Sequence, residues 1–79
     1  MEKTELISKF YKEFKELENT DLTKISNDEI LGNIIKKSMG FEKLVDVGGF
    51  ELYELYILEE IIDIYYNEAT RRMRYERLS

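Results

Sequence analysis

With 79 residues there is room for one domain, spanning 1–79, and no space for a second core. The chain has no Cys and no His, which excludes disulfides and thiolate or imidazole metal sites, the usual supports of very small folds. A net charge of −5 argues against broad, nonspecific nucleic-acid binding, and the lack of cysteine leaves the redox compartment unread.

A core this small supplies only ~3–5 kcal/mol unless something else helps, so dense aromatic packing or self-association is expected. Four Phe and six Tyr suit the first role, and a homodimer or an obligate partner suits the second. The N-terminus (Met1, Glu2, Lys3, Thr4, Glu5) carries both signs of charge and no apolar signal core, while the longest uncharged apolar run is only Leu55 to Leu58. A cytoplasmic protein that does not enter membranes is therefore expected.

Residues Thr4 to Leu17 place Leu6, Ile7, Phe10, Phe14 and Leu17 at i, i+1, i+4, i+8 and i+11, with Tyr11 at the edge of the stripe. Lys9, Lys12, Glu13, Lys15 and Glu16 take the opposite side, as in an amphipathic helix. Asn19, Thr20 and Asp21 break that pattern, leaving Leu22 and Ile25 in a short turn close enough to cover the core. Ser26 followed by Glu29 has capping-box spacing, so a second helix should start near Asn27. Its apolar positions are Ile30, Leu31, Ile34, Ile35 and Met39, and Gly40 is expected to end it.

Phe41, Leu44 and Val45 then fit a short third helix stopped by Gly48 and Gly49. A β-hairpin is the rival, since Lys43 to Val47 and Phe50 to Leu52 alternate about the Gly-Gly pair. Alternation fails at Tyr53 and Leu55 to Leu58, which favours helix. The last segment, Phe50 to Arg77, reads as the longest helix. At about 100° per residue, Glu59, Glu60, Asp63, Asn67 and Thr70 share one stripe, extended by Tyr56 upstream and Arg74 downstream. The rest of the circumference is apolar, and Tyr53, Tyr65 and Tyr66 within or beside that arc are expected in the core. The fold expected is all-α, a compact bundle of about four helices with a long, largely buried C-terminal helix.

No catalytic constellation is legible. Ser8, Ser26, Ser38 and Ser79 have no motif around them, the commonest general base is absent, and Gly40, Gly48 and Gly49 form no phosphate-binding loop. Glu59, Glu60 and Asp63 are hard oxygen ligands one helical turn apart, of the type that holds Mg²⁺ or Ca²⁺. Glu13, Phe14, Lys15, Glu16 followed by Glu60, Ile61, Ile62, Asp63 superficially resemble the E-x-x-E and E-x-x-D helices of all-α nucleotide pyrophosphohydrolases of the MazG type, which would imply Mg²⁺-dependent hydrolysis. The gap between the two pieces is longer than that family uses, and Phe14 is required for the core. The chain is accordingly read as non-enzymatic, with no metal and no cofactor.

Two surfaces remain as binding candidates. Tyr56 beside Glu59, Glu60, Asp63 and Asn67 gives an aromatic anchor ringed by negative charge, suited to a partner protein with a basic surface. All four arginines lie near the C-terminus, where Arg71, Arg74 and Arg77, interleaved with Met73 and Tyr75, could contact phosphates and bases. Cations there also complement a helix dipole, and Glu68 and Arg72 form an i, i+4 pair. The function expected is a small regulatory or inhibitory protein that binds a basic protein, comparable in its physics to immunity proteins, antitoxins and phage inhibitors. The alternative is a helical homodimer that touches nucleic acid through the arginine end. The Lys-, Ile-, Asn- and Tyr-rich composition also fits a phage or mobile-element accessory protein.

Overall fold

The computed structural model describes residues 3–78, with side chains through Tyr75. Among these residues there are three α-helices, α1 (Lys3–Glu18), α2 (Asn27–Val47) and α3 (Leu52–Leu78), with one 3-10 turn at Leu22–Lys24. There is no strand among them, so the hairpin alternative at 43–52 is not adopted.

The joins follow local chemistry. At the end of α1, the Asn19 amide and the Thr20 hydroxyl donate to the carbonyls of Lys15 and Glu16 at 3.1 and 2.7 Å, satisfying acceptors that the helix leaves open. Asp21 caps the 3-10 turn by accepting from the Thr23 amide at 3.1 Å. Ser26 caps α2 as expected, its hydroxyl accepting from the Glu29 amide at 3.2 Å. Before α3 the reverse half of a capping box forms: the Glu51 amide donates to the Glu54 carboxylate at 2.8 Å.

The expected break at Gly40 is absent, and Phe41, Leu44 and Val45 extend α2 instead of forming a helix of their own. A single Gly inside a helix costs only ~1 kcal/mol, too little to stop one whose next turns half-bury Phe41 and Leu44. The stop falls at Gly48 and Gly49, whose φ values of 79° and 85° lie where only glycine is unstrained. The bundle therefore has three helices and not four.

α1 runs alongside α3 in the same direction, with Lys3 paired to Glu54 at 2.8 Å, and α2 returns antiparallel, with Arg72 reaching Asn27. Both pack on α3. Glu13 and Lys37 form an ion pair between α1 and α2. Leu17, Ile30, Ile61, Tyr65 and Ala69 make the core, with Phe10, Phe14, Leu22, Ile25, Ile34 and Ile64 packed around it. Fully burying a residue such as Ile30, Leu58 or Ile61 contributes ~1.5–3 kcal/mol, so these few positions carry much of the stability.

The molecule measures 46 × 25 × 19 Å, its long dimension set by α3, whose 27 residues span ~40 Å. That helix is central but not largely buried. Leu55, Leu58, Ile61, Tyr65, Glu68 and Ala69 form its one buried stripe, while Leu52, Tyr53, Tyr56, Tyr66, Met73 and Tyr75 are exposed. Two neighbours on the same side cannot surround a helix, so Tyr53 and Tyr66, expected in the core, face solvent at 78% and 57% exposure. Among the described residues, no helix is long and apolar enough to cross a membrane.

Candidate functional site: an acidic, tyrosine-bearing face on α3

The stripe named from the sequence lies opposite the buried stripe of α3, as helical periodicity requires. Tyr56, Glu59, Asp63 and Asn67 are exposed there and Glu60 is half-buried. No ion pair to Glu59, Glu60 or Asp63 is formed by any described residue. The Glu60 carboxylate raises the Tyr56 phenol above its ordinary value, first as a hydrogen-bond acceptor for the neutral phenol and then by its charge, with desolvation and the charges of Glu59 and Asp63 adding to it.

Tyr56 stands on a ridge between two grooves. On one side, α1 and α3 enclose about 640 Å³. Ile7, Phe14 and Ile57 give that groove an apolar floor, and the exposed rings of Tyr11, Tyr53 and Tyr56 form its walls. Glu60 stands at its lip, while the other acid, Glu54, is already bound to Lys3. On the other side, Phe41 of α2 faces Leu52, Leu55 and Glu59 across a shallower recess of about 450 Å³. Tyr11 and Tyr53 were not legible as site residues. Tyr53, assigned to the apolar arc, lies one turn before Tyr56 on α3, whereas Tyr11 flanked an amphipathic stripe and comes beside Tyr56 only through the docking of α1 against α3.

Comparison with protein-family models, curated proteins and solved structures found no match.

Among the described residues, no group of three Asp or Glu side chains is placed to hold a metal ion, and Glu13 is taken by Lys37. The juxtaposition that the pyrophosphohydrolase resemblance would require is not formed.

At the arginine end, Arg71 is committed: its Nε and Nη2 donate to the two Glu68 carboxylate oxygens at 3.0 and 2.7 Å. Arg74 is exposed. The Arg77 side chain lies outside the described residues. Arg72 has a role that the i, i+4 pairing with Glu68 only partly foretold. Its Nε donates to Glu68 at 2.6 Å, Nη1 to the Asn27 side chain at 2.7 Å, and Nη2 to the carbonyls of Leu22 and Ile25 at 2.7 and 2.6 Å. This planar fork ties α3 to the 3-10 turn and to the start of α2. Held by both arginines and 9% exposed, the Glu68 carboxyl is lowered to about 2.

Proposed function

We propose that this protein is a small, non-enzymatic regulatory or inhibitory protein that binds a basic protein partner through the acidic, tyrosine-bearing face of α3. The observation that carries the reading is the shared exposure of Tyr56, Glu59, Asp63 and Asn67, with Glu60 beside them, on the side of α3 opposite its core. An exposed ring supplies apolar area at low entropic cost, and carboxylates without ion-pair partners steer a cationic surface and bond to it. The fold holds this face on a rigid helix whose far side is anchored by Leu58 and Ile61, so little ordering is needed on binding.

The test is affinity capture with the tagged full chain, after nuclease treatment, from lysate of its native host. Wild-type bait should retain a stoichiometric basic protein, and the double variant Tyr56→Ala, Glu60→Lys should lose it with unchanged helical circular dichroism and melting temperature. Equal capture by both baits would reject the acidic face as the site. A bound set that vanishes with nuclease would transfer the function to nucleic acid and to the arginine end.

A further inference from the structure

Resting on the reading just given, we propose that the groove between α1 and α3 is the receptor for an arginine side chain of the basic partner. The groove and an arginine side chain are complementary in shape and charge. The floor of Ile7, Phe14 and Ile57 is apolar and receives a methylene stem, which long cationic side chains lay along apolar surface while keeping the charged head in water. Tyr11, Tyr53 and Tyr56 line it with exposed aromatic rings, and a planar, weakly hydrated guanidinium packs on aromatic side chains better than an ammonium does.

Charge fixes the sign of the occupant. The carboxylate of Glu54 at one end is already matched by Lys3, so the groove's open charge is Glu60. Glu60 can take two parallel N–H bonds from a guanidinium, a geometry that lysine cannot supply. An acidic side chain would meet repulsion from Glu60. A volume of about 640 Å³ lies in the range of ligand pockets, and leaves room for an apolar neighbour of the arginine on the partner chain.

The test uses the isotope-labelled full chain and two capped peptides, one of alternating arginine and leucine and one with lysine in place of arginine, followed by amide NMR shifts. The arginine peptide should bind ~3–10-fold more tightly than the lysine peptide and should shift Ile7, Tyr11, Tyr53, Tyr56 and Glu60. Tyr11→Ala, a change at an exposed position on the other helix, should weaken arginine-peptide binding ~3–10-fold while leaving the circular dichroism unchanged. Equal affinity for both peptides, with shifts confined to Asp63 and Asn67, would overturn the groove as receptor and leave the acidic face standing. No shifts with either peptide would count against both. Groove shifts that grow with protein concentration and without peptide would overturn the arginine assignment in favour of a second copy of this chain.

Discussion

Arg72 and Glu68 connect the chemistry of single side chains to the assembly of the helices. Arg72 makes four hydrogen bonds to groups on α3, α2 and the 3-10 turn, and its side chain is only 16% exposed. Arg72→Ala removes all four of these bonds; the Leu22 carbonyl keeps the Ile25 amide and Glu68 keeps Arg71, while the Ile25 carbonyl and the Asn27 side chain lose the Arg72 donor, and hydrogen bonds to charged groups contribute ~1.5–3 kcal/mol each. A loss of ~2–4 kcal/mol in urea unfolding is expected, with Arg72→Lys recovering little because an ammonium cannot span the same acceptors. Arg74→Ala, at an exposed position, should change stability by less than ~0.5 kcal/mol. Glu68 makes a separate, pH-dependent prediction. Its carboxyl is held at about 2 against an ordinary 4.5, so the stabilisation is complete above about pH 4.5 and is lost as the pH falls towards 2. In thermal melts, wild type should exceed Glu68→Gln by a constant margin above about pH 5, and the margin should close near pH 2.

Among the elements, α2 shows how weak a lone glycine is as punctuation. Gly40 lies within the helix, and a Cβ added there would meet nothing within 4 Å. Gly40→Ala should therefore stabilise by ~0.5–1 kcal/mol, since alanine loses less backbone entropy in a helix. Gly48 sits at φ 79°, and Gly48→Ala should destabilise by ~1–2 kcal/mol because a Cβ is strained in that region. Opposite signs in the two melting temperatures are the expected outcome. A destabilising Gly40→Ala would place a helix boundary there after all. The remaining boundaries depend on short-range bonds, such as Ser26 to Glu29 and Glu51 to Glu54, which spacing can reveal before any fold is known.

For the whole molecule, stability is concentrated on one side of α3. Ile61 is completely buried between the flanking helices, so Ile61→Ala should cost ~2–5 kcal/mol, comparable to the entire stability of so small a domain. Tyr66→Ala, on the same helix but 57% exposed, should change the melting temperature little. A large effect at Tyr66 would mean that another surface covers it, as in a homodimer. This contrast separates the helix that positions the site from the face that presents it, and it lets binding variants at Tyr56 be read without loss of fold.

The sequence by itself determined the helical class, the edges of α1, the Ser26 cap and the membership of the acidic stripe. All of these depend on periodicity or on partners within one turn, so a single segment carries the information. It also gave α3 a wide apolar arc, but not which part of that arc would be covered. Tyr65 and Tyr66 are adjacent in the chain, yet Tyr65 is 7% exposed and Tyr66 57%, because α1 and α2 both approach α3 from one side. Continuation through Gly40 was likewise a tertiary decision, in which contacts of α2 with α3 outweighed a local cost of ~1 kcal/mol. The Arg72 clamp, and the placing of Tyr11 against Tyr53 and Tyr56, join residues far apart in the chain. Such contacts have no local signature, and they exist only once the helices have docked.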